Sequence, residues 1–62
     1  MILTKEQLKE EILEFTNSQE DQVFIWFQYK TKRFCLELNG KVIKATKSLK
    51  PIQEKLNFLL IK

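Results

Sequence analysis

The chain has 62 residues, 44% of them hydrophobic and 31% charged, with one glycine, one proline, one cysteine and no histidine. This length fits one small domain, 1–62, and excludes a second, and so little glycine and proline argues against a disordered chain. The net charge of +3 is unevenly divided: residues 1–21 hold six acids and two bases, net −4, and residues 22–62 hold nine bases and two acids, net +7.

The N-terminal segment predicts a helix that begins at Thr4. Thr4 and Gln7 have the spacing of a capping box, and Leu3 and Leu8 have that of a hydrophobic staple. Apolar residues then recur at i, i+4 and i+7, which predicts one buried face formed by Leu8, Ile12 and Phe15. We expect the helix to end at Asn17-Ser18.

From residue 22 the apolar period changes to two, which predicts three strands. The first is the β-branched and aromatic run 23–29, the second covers residues 33–38, and the third covers residues 41–46. Asn39-Gly40 lies between the last two strands, and this dipeptide favours a type I′ turn because both residues tolerate positive φ. The three strands therefore form an antiparallel meander.

The two turns determine which residues share a face of the sheet. With a two-residue turn at 39–40 and an even loop centred on 31–32, the expected cross-strand pairs are Leu36 with Ile43, Phe34 with Ala45, Tyr29 with Phe34, Phe27 with Leu36, and Ile25 with Leu38. All of these residues are apolar, so this face is the predicted core face. The opposite face then carries Phe24, Trp26 and Lys44.

A second helix closes the chain. Ser48 is the expected N-cap, and Pro51 lies in the first turn, where its missing N–H is not needed. The expected buried stripe consists of Leu49, Ile52, Leu56 and Leu59. The tail 57–61 is apolar on nearly every side, so it either packs deeply or meets another subunit.

These elements predict an α+β fold. The order is α-β-β-β-α, and we expect a two-layer domain in which both helices cover one face of a three-stranded antiparallel meander. In such a meander, the first turn and the end of the third strand lie at the same end of the sheet.

Six basic residues are expected at that end of the sheet: Lys30, Lys32, Arg33, Lys44, Lys47 and Lys50. The free N–H groups at the start of the second helix also favour anions. Basic side chains that neutralise phosphates release counterions, so the cluster predicts a phosphate-backbone site. The alternative is that these residues keep a small domain in solution and protect the edges of its sheet.

Two aromatic residues of the outer sheet face, Phe24 and Trp26, have two interpretations. In the first interpretation, they stack on unpaired bases, as aromatic residues do in single-strand-binding sheets. Alternatively, a helix or a second subunit covers them, because an open face with Phe, Trp, Val and Cys favours association.

The predicted order of elements resembles that of the double-stranded-RNA-binding domain. In that family, the loop between the first two strands and a lysine cluster at the start of the second helix contact the nucleic acid. The resemblance implies the same role for the corresponding residues here, which are Lys30, Lys32, Arg33, Lys47 and Lys50.

The residue content predicts a protein without catalytic activity, metal or cofactor. No histidine and no phosphate-binding glycine loop are present, and Cys35 lies within a strand without a base to activate it. The N-terminal segment is charged where a signal peptide requires an apolar stretch, and no apolar run reaches the ~20 residues that span a bilayer. We expect a cytoplasmic protein that does not enter a membrane.

Two functions remain after these exclusions. The first is a small nucleic-acid-binding module for DNA or RNA. The second is a protein-interaction or inhibitor domain that is dimeric through its outer sheet face or its C-terminal helix. The sequence does not distinguish DNA from RNA, and it leaves the biological process and the oligomeric state open.

Overall fold

The computed structural model describes residues 2–61, with only the backbone at residue 61. Within this range the chain forms two helices and a four-stranded antiparallel sheet in the order β1-β2-β3-β4. The α+β class is confirmed, whereas the prediction of three strands is wrong. The elements are α1 (Lys5–Glu10), β1 (Leu13–Thr16), β2 (Gln22–Gln28), β3 (Arg33–Leu38), β4 (Lys41–Thr46) and α2 (Lys50–Ile61).

Helix α1 begins where the sequence predicts and ends earlier. Thr4 is its N-cap, and the Thr4 hydroxyl oxygen accepts a hydrogen bond from the Gln7 backbone N–H at 3.2 Å. Leu3 and Leu8 of the predicted staple are both buried in the core. The last helical residue is Glu10, because the backbone at residue 11 is already extended. The prediction that this helix continues to Asn17-Ser18 is wrong.

The segment expected to finish the first helix forms β1. Its apolar residues, Leu13 and Phe15, alternate with polar ones and pack against the core, while Ile12 is 65% exposed instead of buried. Pairing with β2 supplies hydrogen-bond partners along an edge that would otherwise be open. Carboxylates are also unfavourable at the C-terminal end of a helix, where Glu10 lies. Together these effects outweigh the local helical pattern.

The hairpin of β2 and β3 has the predicted faces in a different register. Ile25 pairs with Leu36, and Phe27 pairs with Phe34, which is two residues away from the expected pairing. Because the difference is even, each strand residue keeps its face. Tyr29 lies in the turn and is largely exposed, and its hydroxyl donates a hydrogen bond to the Lys9 carbonyl in the last turn of α1 at 2.6 Å.

The turn between β3 and β4 is the one the sequence predicts. Asn39 and Gly40 both have positive φ, 50° and 87°. Beyond the turn, an irregularity in the pairing makes Leu36 face Lys44 and Cys35 face Ala45. The expected pairs of Leu36 with Ile43 and of Phe34 with Ala45 are therefore wrong, because one extra residue in β4 exchanges the faces of the residues that follow it.

The core contains residues from both helices and from alternate positions of β2 and β3. The fully buried residues of α2 are Ile52 and Leu56, and the other members of its predicted stripe, Leu49 and Leu59, pack against the core. Helix α2 begins one residue later than expected, because the Gln53 N–H donates to the carbonyl of Leu49, which leaves Ser48 outside the cap position. The remaining buried core residues are Leu3, Leu8, Val23, Ile25, Phe34 and Leu36.

The fourth strand also removes the basis of the family resemblance. The described order is α-β-β-β-β-α, and α1 has six residues. The architecture that suggested a double-stranded-RNA-binding domain is therefore not the one the chain adopts. No helix among the described residues is both long enough and apolar enough to span a membrane.

Candidate nucleic-acid interface

Five of the six predicted basic residues lie around one end of the sheet. Gln28 pairs with Arg33, and Phe34 pairs with the last residue of β4, so the β2–β3 turn and the exit of β4 are adjacent. All five side chains are exposed. They occupy the turn, the first position of β3, the segment after β4 and the first position of α2: Lys30, Lys32, Arg33, Lys47 and Lys50.

The sixth residue, Lys44, lies on the other face of the sheet. It pairs with the fully buried Leu36 and is itself half-buried. Arg33 precedes the core residue Phe34 and therefore belongs to the outer face. The expectation that Lys44 shares the outer face is wrong because the irregularity in β4 reverses its direction. The five exposed basic residues at this end of the sheet form the basic end: Lys30, Lys32, Arg33, Lys47 and Lys50.

The backbone at the basic end is strained at one point. Lys32 has a φ of 56°, in the left-handed region that residues other than glycine and asparagine rarely adopt. The Thr31 hydroxyl donates to the Gln28 side-chain oxygen at 3.0 Å across the same turn. The turn therefore holds Lys32 in a conformation that glycine would adopt at lower cost.

The outer face carries the two predicted aromatics in an ordered set of cross-strand rows. Phe24 lies between two acids, with Glu14 opposite on β1 and Glu37 opposite on β3. The next outer row along β2 contains Trp26, which pairs with Cys35. The row after that contains Gln28 and Arg33. Along the strands, the outer face thus changes from acidic to apolar to basic.

A groove of about 270 Å³ opens on this face, lined by Ile12, Phe24, Trp26 and Glu37. Both aromatic side chains are half-buried, and so is Glu37. Near the groove, Val42 pairs with Glu37 and is 49% exposed. The groove therefore presents aromatic surface and one carboxylate to the outside.

Two residues of this groove were not part of the predicted site. Ile12 was assigned to the buried face of a helix, and it lines the groove only because the chain is extended from residue 11 onward. Glu37 lies on the outer face by the alternation of β3, and its position opposite Phe24 depends on the observed register. The alternation of apolar and polar residues at 13–16 is the signal that could have identified a strand here, with Ile12 on the face opposite Leu13.

Cys35 is buried beside Trp26 and is a free thiol. Its sulfur lies 3.8 Å from the Gln28 side-chain oxygen and 4.0 Å from the Arg33 carbonyl oxygen. Burial raises the pKa of the Cys35 thiol, and the charge of Arg33 opposes that effect to a smaller extent. At neutral pH the thiol is therefore protonated, which makes it a poor nucleophile.

The described residues contain no cluster of three or more His, Cys, Asp or Glu side chains that could hold a metal ion. Comparisons of this chain with protein-family models, with curated proteins and with solved structures gave no significant match. The outer face and the basic end are therefore the features from which a function can be inferred.

Proposed function

We propose that this protein is a small, non-catalytic module that binds single-stranded nucleic acid. The basic end holds backbone phosphates, and Phe24 and Trp26 stack on unpaired bases. The observation that carries the proposal is the succession of an aromatic row and a basic row on one open sheet face.

The spacing of these rows supports a single ligand that uses both. Trp26 and Gln28 are two residues apart on β2, which corresponds to ~6.6 Å along a strand. Gln28 pairs with Arg33, so the first basic residue of β3 lies one row beyond Trp26 of the groove. A nucleotide can therefore place its base on the aromatic row while its phosphate contacts the basic row.

Charge on the same face supports a single strand over a duplex. Glu14 and Glu37 flank Phe24, so a duplex laid along the strands would bring phosphates against two carboxylates. Stacking on Phe24 and Trp26 also requires bases that are not already stacked on both sides. A single strand avoids both problems, because it enters from the basic end and places only a base in the groove.

Lys44 has no part in this site. It pairs with Leu36 on the core side of the sheet, away from Arg33 and Trp26. Its contribution to binding is limited to the long-range charge of the domain, which salt screens.

Fluorescence anisotropy of labelled oligonucleotides tests the proposal. Single-stranded and duplex DNA and RNA are titrated with the protein at two salt concentrations. We expect single strands to bind more tightly than duplexes, with affinity that falls steeply as salt increases. Absence of binding to every oligonucleotide at low salt would reject the function.

A charge-reversed pair provides the matched comparison. Arg33→Glu reverses one charge at the basic end, and we expect it to weaken binding strongly at low salt. Lys41→Glu reverses one exposed charge beside the Asn39-Gly40 turn, at the opposite end of the sheet. Equal losses in both variants would indicate attraction by net charge without a defined site.

A second candidate function is self-association through the outer face. The observation that favours it is exposed apolar surface around the groove, at Ile12 and Val42. Size exclusion with light scattering distinguishes the two functions. A dimer that dissociates when Trp26 is changed to Gln, together with no nucleic-acid binding, would support this candidate over the first.

A further inference from the structure

We infer that the outer groove selects guanine among the bases, with Glu37 as the specificity-determining residue. This inference rests on the proposed single-strand-binding function and adds the identity of the base. The observation behind it is that Glu37 is the one carboxylate among the residues lining an otherwise apolar groove.

Glu37 occupies a defined position relative to both aromatic side chains. It pairs directly with Phe24 and lies diagonally across from Trp26, because Trp26 pairs with Cys35. Cross-strand diagonal neighbours are about 7–8 Å apart at the backbone, within reach of long and aromatic side chains. A base stacked on Trp26 can therefore present its edge to the Glu37 carboxylate.

A carboxylate can form hydrogen bonds only with certain edges of a nucleobase. It has two acceptor oxygens and no donor, so a base in the groove must offer N–H groups. Guanine carries N1–H and the N2 amino group side by side on its Watson–Crick edge, so one carboxylate accepts from both. Such paired, charge-assisted hydrogen bonds are roughly twice as strong as neutral ones.

The other bases meet the same carboxylate less well. Adenine and cytosine each present one amino group beside a ring nitrogen that is an acceptor, and uracil and thymine present one N–H between two carbonyl oxygens. In each case an acceptor lone pair faces the carboxylate, which is repulsive. Specificity of this kind uses rejection of the wrong ligand as well as attraction of the right one.

The groove alone would also suit a small organic cation, since aromatic rings and a carboxylate attract positive charge. The basic end decides against that ligand. Arg33 lies one row beyond Trp26, where its charge repels a cation and attracts an anionic group on the same molecule. A guanine nucleotide combines a donor-rich planar base with a phosphate and therefore matches both rows.

The only tryptophan of the chain reports on the site directly. Trp26 is half-buried and lines the groove, so stacking of a base on its ring changes its fluorescence. Three probes are titrated at low salt: a short oligouridylate, the same oligomer with one central guanosine, and the same oligomer with inosine at that position. Inosine retains N1–H and lacks only the N2 amino group.

We expect the guanosine oligomer to bind about tenfold or more tightly than the oligouridylate, with the inosine oligomer between them. Glu37→Gln is close to Glu37 in shape and should bring the three affinities to within about threefold of one another. Glu54→Gln makes the same charge change at an exposed position of α2 and should leave the preference intact.

The outcomes separate this inference from the function on which it rests. Salt-dependent binding of all three oligomers with equal affinity would overturn guanine selection and leave the proposed function standing. A guanine preference that persists in Glu37→Gln would overturn the assignment to Glu37. Failure of every oligomer to bind would reject the proposed function and the inference together. The inosine comparison changes only the ligand, so it remains decisive even if the Glu37 variant does not fold.

Discussion

Asp21 and Asn39 join two turns that are far apart in the chain. The Asn39 side-chain amide donates to one Asp21 carboxylate oxygen at 3.0 Å, and the Asn17 amide donates to the other at 3.2 Å. Asn17 also donates to the Leu59 carbonyl near the end of α2 at 3.3 Å. One carboxylate thus connects the β1–β2 turn to the β3–β4 turn, and its partner extends the connection to the last helix.

The first prediction concerns the pH dependence of stability. Hydrogen bonds from Asn39 and then Asn17 lower the pKa of Asp21. Because the folded-state pKa is below the unfolded-state value of about 3.9, the stabilisation is complete above that value and is lost as the pH falls through the folded-state pKa. We expect Asp21→Asn to melt at a lower temperature than the unmodified protein at pH 7, with a difference that shrinks towards pH 2.

The matched control for this prediction is Glu20→Gln, which removes a neighbouring exposed charge. Melting curves from circular dichroism between pH 2 and pH 7 supply the measurement. A difference between Asp21→Asn and the unmodified protein that does not change with pH would contradict the assigned role.

The second prediction separates strain from function at the basic end. Lys32 has a φ of 56°, and a left-handed conformation costs an ordinary residue roughly 1–2 kcal/mol. Glycine removes that strain but loses more entropy on folding, about 0.5–1 kcal/mol. We therefore expect Lys32→Gly to be more stable by up to about 1.5 kcal/mol in urea unfolding, and to bind single strands more weakly.

Glu20 provides the comparison because its φ is 65° and it lies in the β1–β2 turn, outside the basic end. We expect Glu20→Gly to gain similar stability without weakening nucleic-acid binding. Undiminished binding by Lys32→Gly would argue against a contribution of Lys32 to the site.

The third prediction concerns Gly40. Its φ is 87°, and a Cβ atom built there would meet no atom within 4 Å. The cost of Gly40→Ala is therefore conformational and amounts to about 1 kcal/mol. A synthetic chain with D-alanine at position 40 should be at least as stable as the natural one, since positive φ suits that residue. If both alanine forms destabilise equally, the cost has another origin.

The fourth prediction concerns the core. Leu56 is fully buried, and leucine-to-alanine changes in cores cost about 2–5 kcal/mol. A domain of this size rarely has more than about 3–5 kcal/mol of stability. We expect Leu56→Ala to be largely unfolded at 25 °C by circular dichroism, whereas Asn57→Ala at the adjacent exposed position should remain folded. A cooperative melt of Leu56→Ala near the unmodified temperature would contradict the described core.

Local interactions explain which parts of the fold were predictable. The start of α1 depends on Thr4 and Gln7, three residues apart, and the second hairpin turn depends on Asn39 and Gly40, which are adjacent. Likewise, the buried stripe of α2 follows from helical periodicity alone. In each case the stabilising contact lies within a few residues, so the sequence pattern contains it.

The predictions from the sequence were wrong where pairing with a distant segment, and not the local pattern, decides the structure. Residues 13–16 fit both a helical and an alternating pattern, and pairing with β2 selects the strand. The extra residue in β4 reverses Lys44 and Ala45 relative to a regular hairpin. The first turn is centred on residues 30–31 instead of 31–32, which moves the β2–β3 pairing by two residues. The spacing of residues along the chain does not determine the extra strand, the reversed residues or the shifted register, because all three depend on which strand edges pair.

The sequence by itself determined the α+β class, the Asn39-Gly40 turn, most of the core and the position of five basic residues at one end of the sheet. Those features follow from periodicity, capping and charge, which act over short distances along the chain. Only the tertiary structure decided that Ile12 and Glu37 join Phe24 and Trp26 in one groove and that Lys44 leaves the basic end. The physical reason is that strand register sets the face of every side chain, and register is chosen by the packing of the whole sheet.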